Sequence, residues 1–302
     1  MRIALTGGTG FVGGHVLDAA LGAGHSVAAL TRRDQPPRGG VEWVAGALED
    51  GKALKALVKN ADAVIHLAGV INAAAPGGFE RGNVIGTGAV LAAAEQAGTR
   101  RFVHVSSLAA REPKLSRYGK SKARSEELVS ASPLSHAIVR PPAVYGPGDR
   151  ETLELFKMAA RGLVLLPPRA ARLSLIHVAD LARLLLALAD PAAPAGVVFE
   201  PDDGRPGGWS QGEFGAALAA STGRKARLLH APAPLMKVAA LADRAARGAR
   251  AKLTPDRAAY FAHPDWVADP VRAVPSALWR PEIASDQGLA DTAAWYRAAG
   301  WL

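Results

Sequence analysis

The residues best suited to chemistry are Tyr118 and Lys122, in the run Tyr118-Gly119-Lys120-Ser121-Lys122. Residues four apart share a helix face, so these two side chains are neighbours while Lys120 points elsewhere. A free phenol titrates at about 10 and moves protons poorly at neutral pH. A lysine ammonium beside it favours the phenolate and is expected to lower that value into a range useful for general acid–base work. Upstream, the apolar run Arg101–Val105 ends in Ser106-Ser107, where a hydroxyl can hold a substrate oxygen beside the tyrosine. Near the N-terminus, Gly7-Gly8-Thr9-Gly10-Phe11-Val12-Gly13 spaces Gly7, Gly10 and Gly13 evenly. Backbone N–H groups at a helix start attract phosphate, and glycine lets the chain turn there and approach a pyrophosphate closely. With a strand ahead and a helix behind, this spacing points to a dinucleotide site.

The elements that must position these groups alternate along the first half of the chain. Short β-type runs occur at Arg2–Thr6, Ser26–Thr31, Val41–Ala45, Ala63–Leu67, Arg101–Val105 and Ala137–Arg140. Helical patterns lie between them at Phe11–Ala23, Lys52–Asn60, Asn83–Ala97 and Tyr118–Ala131. Apolar strands alternating with helices predict an α/β fold, a Rossmann-type doubly wound parallel sheet whose ligand crevice lies at the carboxyl ends of the strands. The proline- and glycine-rich run Pro141–Asp149 ends the alternation. Residues 1–148 are therefore expected to form the cofactor-binding domain, with 171–200 returning to it through strands Leu173–His177 and Val197–Glu200. Residues 149–302 form a smaller, helix-rich substrate-binding region.

With 302 residues, 49% of them apolar, the chain can bury a large core. It has no cysteine, which excludes disulfides, thiolate metal sites and cysteine nucleophiles. The most apolar stretch, Leu181–Ala189, is broken by Arg183 and stopped by Asp190. A chain that starts directly on a strand and lacks a run of membrane-spanning length is expected in the cytoplasm. The net charge of +9 implies attraction to something anionic. No basic stripe interleaved with aromatics is present, so nucleic acid is not the expected partner. A phosphorylated cofactor or an anionic membrane fits instead.

Cofactor preference follows from the second strand, which ends Ala29-Leu30-Thr31-Arg32-Arg33. An acidic residue there would hold a ribose 2′-OH and repel a 2′-phosphate. Guanidinium groups pair with that phosphate, so NADP(H) is favoured over NAD(H), with Arg32 nearer the strand end than Arg33. The alternative is that both arginines are simply solvated loop residues.

Several ordered segments together resemble the extended or atypical branch of the short-chain dehydrogenase/reductase superfamily. They are Thr6–Gly13, Asp62–Gly69, Asn83–Thr87, Ser106-Ser107, Tyr118-x-x-x-Lys122, Arg140–Gly148 and Ile176–Ala182. The resemblance implies that Tyr118 is the general acid/base, that Lys122 binds the nicotinamide ribose, that Ser107 orients a substrate carbonyl and that Asn83 supports the cofactor side. It implies cofactor contacts at Gly7, Thr9, Gly10, Phe11, Val12, Gly13, Leu48, Leu67, Ala68, Gly69, Val105, Tyr118, Lys122, Pro141, Pro142 and Val144. Three departures matter. Ala47 replaces an aspartate that often holds the adenine, leaving that contact to backbone and Leu48. Ser107 and Tyr118 are only eleven residues apart, a short loop like that of members related to the NADPH-binding accessory subunit of respiratory complex I. Leu108-Ala109-Ala110 lacks the acidic pair that 4,6-dehydratases place there, which disfavours water elimination.

Among the remaining residues, His66, His104 and His177 sit in or beside apolar strands and read as hydrogen-bonded structural groups; no metal site is expected. Asp180 reads as a helix cap. Leu235–Leu253 reads as a basic amphipathic helix with Leu235, Val238, Ala242, Ala245, Ala249 and Leu253 on one side and Lys237, Arg244, Arg247 and Arg250 spread over the other. Such a helix either makes peripheral contact with the inner face of an anionic membrane or packs on its own domain. Leu163–Pro168 either lines an apolar pocket or belongs to the core. The leading expectation is an NADP(H)-dependent oxidoreductase that interconverts a ketone and a secondary alcohol, with a lipophilic substrate such as a 3-oxo lipid, a ketosphingoid, a ketoceramide or a sterol-like ketone. The alternatives are a nucleotide-sugar epimerase or reductase, with Arg172 and Arg205 holding a diphosphate, and a protein that binds NADPH without turnover.

Overall fold

The computed structural model describes residues 1–73, 77–248, 251 and 253–302. In chain order the elements are β1 (Arg2–Thr6), α1 (Phe11–Gly22), β2 (Ser26–Thr31), β3 (Val41–Ala45), α2 (Gly51–Val58), β4 (Ala63–His66), α3 (Gly86–Gln96), β5 (Arg101–Val105), α4 (Arg117–Ala131) and β6 (Ser135–Val139). There follow β7 (Ala143–Tyr145), α5 (Leu153–Ala160), β8 (Leu163–Leu166), β9 (Arg172–Leu173), β10 (Leu175–His177), α6 (Val178–Ala189) and β11 (Val197–Phe199). The last are β12 (Trp209–Ser210), α7 (Gln211–Ser221), β13 (Arg227–His230), α8 (Ala233–Arg247), α9 (Pro255–Ala262), β14 (Asp265–Trp266) and α10 (Ser285–Ala298).

Two compact units emerge. The first comprises Met1–Arg140, Leu181–Glu200 and Val274–Trp279. Its seven-stranded sheet has the order β11-β6-β5-β4-β1-β2-β3, every pair parallel. The chain winds outward from β1 through β3 on one side and from β4 through β6 on the other, so the order reverses between β1 and β4. That reversal leaves a crevice at the carboxyl ends of these two strands. Covered on both faces, β4 and β5 are buried along their whole length, so that even Arg101, His66 and His104 within them are buried. Ala4, Ala28, Val64, Phe102 and Ile138 pack with Leu54, Leu57, Val90 and Val129 of α2, α3 and α4 on one face. Leu5 and Ala29, one residue on and so on the opposite face, meet Leu17 of α1 around Gly8.

A buried arginine closes this unit. Arg101, 0% exposed, donates from Nε to the Leu188 carbonyl at 2.8 Å, from Nη2 to the Pro194 carbonyl at 2.7 Å and from Nη1 to Ser135 Oγ at 3.1 Å. A cation at the end of α6 satisfies carbonyls that the helix itself leaves open. It fixes the turn that returns the chain to the sheet as β11, with Val197 opposite Ala137.

The second unit takes Pro141–Asp180, Pro201–Ala273 and Arg280–Leu302. Here the structure differs from expectation. Of the two strands expected to return to the large sheet, only Val197–Phe199 does so; Leu175–His177 pairs with β7 in a separate two-stranded parallel sheet. Arg140 still donates its N–H to the Phe199 carbonyl, but Pro141 and Pro142 after it offer no backbone N–H, so the large sheet's ladder stops there. The unit's core gathers Tyr145, Phe156, Val164, Leu166, Trp209, Phe214, Leu218, Leu289 and Tyr296. Phe156 meets Tyr296 edge-on with ring centroids 5.1 Å apart.

The expected helix over Leu235–Leu253 is shorter in the structure. It starts at Ala233 and ends at Arg247, because Gly248 takes the left-handed φ of 55°. Leu253 instead donates its N–H to Asp243 at 2.8 Å. Ala249 and Arg250 of that stretch lie outside the described residues.

Candidate active site

The glycine turn joins β1 to α1. Gly10 is the N-cap, no side chain caps the helix and no acidic residue occupies its first turn. Gly7 has φ +76°, a conformation that favours glycine, and its carbonyl accepts from Gly10 N at 3.0 Å. Gly13 lies directly against Gly7 and Gly8. Thr9 and Gly10 are exposed, while Phe11 and Val12 are half-buried at the helix start. The helix start, uncapped by any side chain and rich in glycine at Gly7, Gly8, Gly10 and Gly13, fits a pyrophosphate.

Across the crevice, Leu67 and Ala68 touch Gly7: a Cβ there would lie 2.9 Å from Ala68 N. Ala68 N donates to Thr6 Oγ1 at 3.1 Å. Gly69 faces Asn83 and Lys122, since its Cβ would sit 3.1 Å from Asn83 Oδ1 and 3.9 Å from Lys122 Nζ. Asn83 sits in a π-helical turn, Glu80–Ile85, ahead of α3. This wide turn aims the Asn83 amide inward rather than along a helix. The amide accepts from Val70 N at 2.6 Å and donates to Val70 O at 3.0 Å and to Ser121 Oγ at 2.8 Å. Ser121 in turn donates to the Tyr118 carbonyl at 2.7 Å.

Helix α4 opens at Ser116, whose hydroxyl caps Gly119 N at 2.9 Å, and carries Tyr118 and Lys122 one turn apart. Lys122, 5% exposed, donates from Nζ to the Val105 carbonyl at the end of β5, 2.7 Å away. Burial pulls its pKa down to about 8, and Glu126 one turn further on opposes that shift. The Ser107 hydroxyl is hydrogen-bonded to the Tyr118 hydroxyl. The tyrosine departs from expectation. The residue keeps some solvent contact, yet its hydroxyl is enclosed by protein, and this desolvation raises its pKa, with the Ser107 hydrogen bond pulling the other way. The anticipated lowering by Lys122 is not among the causes of this shift; the ammonium is directed at the Val105 carbonyl.

Leu48, beyond β3, wedges against Gly86 and joins the apolar cluster under α2 and α3. Arg32 and Arg33 follow β2 with exposed side chains. The Arg33 backbone is held by Thr31, whose hydroxyl donates to the Arg33 carbonyl at 2.7 Å. Pro141, Pro142 and Val144 fall in the second unit, Val144 within β7. Asp180 lies in the first turn of α6 rather than ahead of it. Its carboxylate accepts from the N–H groups of Glu282 at 3.2 Å and Ile283 at 3.1 Å, and so fastens a loop to the helix.

A charged network behind the tyrosine was not read from the sequence. Glu126 accepts from Ser106 Oγ and from Arg140 Nη2 at 2.6 Å, and Glu200 accepts from Arg140 Nη1 and Arg111 Nη1, each at 3.2 Å. It ties the ends of β5 and β6 to α4, so that Ser107 is fixed relative to Tyr118. The signal was available: Glu126 stands four residues after Lys122, on the same face.

Two stacked imidazoles lie under the site. His66 and His104 pair across β4 and β5 with ring centroids 5.6 Å apart. The Thr87 hydroxyl already donates to Asn83 O, so His66 Nε2 must donate to it and His66 Nδ1 accepts from Thr6. The Ser125 hydroxyl likewise donates to Lys122 O, which makes His104 Nε2 a donor to Ser125 and leaves Nδ1 unprotonated. Burial and the nearby Lys122 depress both pKa values, His66 to about 3 and His104 well below its ordinary value. Below about pH 6.5 the unfolded chain binds protons at both sites and the folded protein does not. Stability should therefore fall with acidification, by up to about 1.4 kcal/mol per pH unit for each ring. Chemical denaturation between pH 7 and pH 5 measures this; a flat profile would show that the rings gain protons in the folded state.

The family model described as NAD dependent epimerase/dehydratase family matches residues 3–199. A protein named ceramide reductase from Caulobacter vibrioides (strain NA1000 / CB15N) is 40% identical over 314 aligned residues, covering 99% of this chain and 96% of that protein. A protein named 4-hydroxy-2-methyl-3-oxo-4-farnesyl-3,4-dihydroquinoline-1-oxide ketoreductase from Stigmatella aurantiaca is 32% identical, covering 68% of this chain and 69% of its own. The solved structure of MoeE5 in complex with UDP-glucose and NAD superposes with a TM-score of 0.76 at 24% identity, covering 99% of each chain, a likeness of fold. The chain thus belongs to the NAD-dependent epimerase/dehydratase family of the extended short-chain dehydrogenase/reductase superfamily and is an NAD(P)-dependent enzyme of that type.

Proposed function

We propose that this enzyme is an NADP(H)-dependent oxidoreductase that interconverts a ketone and a secondary alcohol on a long-chain 3-oxo lipid of the ceramide or sphingoid kind. The observation that carries it is the meeting of Ser107, Tyr118 and Lys122 at the end of β5, a few ångströms from Gly69 and Asn83. The names of the Caulobacter and Stigmatella relatives support reduction of a carbonyl on a lipophilic molecule.

A bound nicotinamide supplies the hydride. In this reading the open start of α1, with Gly7, Thr9, Gly10, Phe11, Val12 and Gly13, binds the pyrophosphate, while Leu48, Leu67, Ala68, Gly69 and Val105 line the cofactor's path. Lys122, mostly an ammonium at neutral pH, holds the nicotinamide ribose, and Asn83 fixes the backbone around it. Ser107 steadies the substrate oxygen. Tyr118, kept as a neutral phenol by burial, donates its proton as the alkoxide forms; a raised pKa suits the acid in the reductive direction. Arg32, with Arg33, pairs with the 2′-phosphate.

The two arginines considered for a nucleotide-sugar diphosphate both have partners within the protein. Arg172 spends its guanidinium on the carbonyls of Gly207 and Gly208, at 2.7 and 3.0 Å. Arg205 is paired with Glu213 at 2.6 Å and stacked over Trp209.

The test supplies a detergent-dispersed 3-oxoceramide, or UDP-glucose, with NADPH or NADH and follows consumption of the reduced cofactor and the product. We expect reduction of the lipid, with kcat/KM for NADPH at least about tenfold above that for NADH, equivalent to roughly 1.4 kcal/mol of phosphate pairing. Arg32→Glu should erase or invert that preference. Epimerisation of UDP-glucose without reduction of any ketone would overturn the assignment.

A further inference from the structure

Helix α8 presents its apolar side away from the protein. Its only buried residue is Ala240, and Ala233, Met236 and Asp243 are half-buried. Their spacing of three, four and three residues makes one stripe, the side that packs within the second unit. Leu235, Val238 and Leu241 are 58%, 61% and 60% exposed, and Ala242 and Ala245 are exposed beside them. At about 100° per residue these five residues span an arc centred nearly opposite the packed stripe. Helix α2 shows the usual arrangement, with Ala53, Leu54, Leu57 and Val58 all buried. A helix that buries alanine and exposes leucine and valine is inverted for water.

The strand leading into α8 continues the pattern. On the β8–β13 sheet, Val164 and Leu166 point inward at 0% and 2% exposure, while Leu163, Leu165 and Leu229 are exposed. The register places Leu163 opposite Arg227 and Leu165 opposite Leu229, so all four share the outer face. From His230 the chain passes through Ala231 and Pro232 straight into α8. Scattered exposed leucines are ordinary; two successive elements turning their large apolar residues outward mark an interaction surface.

Charge selects the occupant. Lys237 and Arg244 flank the exposed arc next to Leu241, and Arg247 is paired with Asp243, the helix's single acid, at 3.1 Å. The chain carries +9 overall. A second copy would bring basic flanks together, whereas an anionic lipid surface neutralises them. No helix among the described residues is long and apolar enough to cross a membrane, so the contact is made from one side.

We propose that α8 docks on an anionic bilayer, with Leu235, Val238 and Leu241 among the upper acyl chains and Lys237 and Arg244 at the headgroup phosphates. The proposal rests on the lipophilic-substrate reading for its purpose: a two-tailed ketone would be met where it resides. Flotation of the full-length protein tests it, using vesicles of phosphatidylcholine alone or of about three parts phosphatidylcholine to one part phosphatidylglycerol. Binding to the anionic vesicles is expected, with little to phosphatidylcholine alone and a loss in high salt. The triple variant Leu235→Glu, Val238→Glu, Leu241→Glu should bind at least tenfold less while retaining NADPH affinity and its melting temperature. No flotation with anionic vesicles, or equal flotation of the triple variant, overturns the proposal. So does self-association of the wild type that the triple variant abolishes while vesicles remain unbound. Vesicle binding is read without turnover, so a protein that docks but reduces no ketone loses the enzymatic assignment and keeps this one.

Discussion

Replacing Tyr118 with phenylalanine should lower kcat for ketone reduction by about 10²–10⁴-fold, the usual worth of a positioned proton donor. NADPH affinity should change little, because Lys122 keeps its bond to the Val105 carbonyl and Asn83 keeps its hold on Val70. The phenylalanine ring fills the same volume against Phe79, whose ring centroid lies 6.0 Å from that of Tyr118. The variant removes one hydroxyl and its hydrogen bond to Ser107 and leaves the fold intact. Steady-state kinetics beside a fluorescence titration with NADPH separates the two quantities. Undiminished turnover in the variant would remove Tyr118 from the reaction.

A second large effect is expected where no functional group is present. A Cβ added at Gly13 would fall on the Gly7 carbonyl oxygen, 2.7 Å from the Gly7 carbonyl carbon and 2.8 Å from Gly8 Cα. All three are backbone atoms, so no rotamer change relieves the clash and α1 must slide along β1. Gly13→Ala should therefore cost roughly 1–3 kcal/mol of stability and at least about tenfold in NADPH affinity, since the turn that receives the pyrophosphate is the part displaced. Gly14→Ala is the control. Nothing lies within 4 Å of a Cβ there, and alanine is the better helix former, so this variant should be neutral or slightly more stable. Thermal melts and cofactor titration of the pair distinguish a steric lock from a general effect of removing glycine. Equal behaviour of the two variants would refute the lock.

The sequence revealed the fold where a local pattern and the global architecture require the same thing. Buried parallel strands need mainly apolar residues, and Ala63–Ile65 and Phe102-Val103 supply them; a strand–glycine–helix turn needs glycine at close approaches, and Gly7, Gly10 and Gly13 supply it. Tyr118 and Lys122 were legible because helix periodicity alone puts them side by side. What escaped notice depends on partners distant in the chain. Leu175–His177 and Val197–Phe199 are both short strands of mainly apolar residues, yet the first pairs with β7 and the second, held by the Arg101 clasp, enters the large sheet. The sign of the Tyr118 shift depends on enclosure by surrounding protein, which spacing does not encode. For α8, periodicity located an apolar side but not whether that side faces the domain or leaves it.

The Arg101 clasp also bears on synthesis. The outermost strand of the large sheet, β11, and the α6 carbonyls that the guanidinium binds are translated after Pro141–Asp180, which belong to the other unit. An emerging polypeptide at residue 140 thus holds β6 with one edge bare and a cation buried against nothing. The ribosome must deliver some sixty further residues before that edge is sealed, and the segment 274–279 later still. Until then the partly made sheet exposes a pairing edge to neighbouring nascent chains, a window in which chaperone protection matters most.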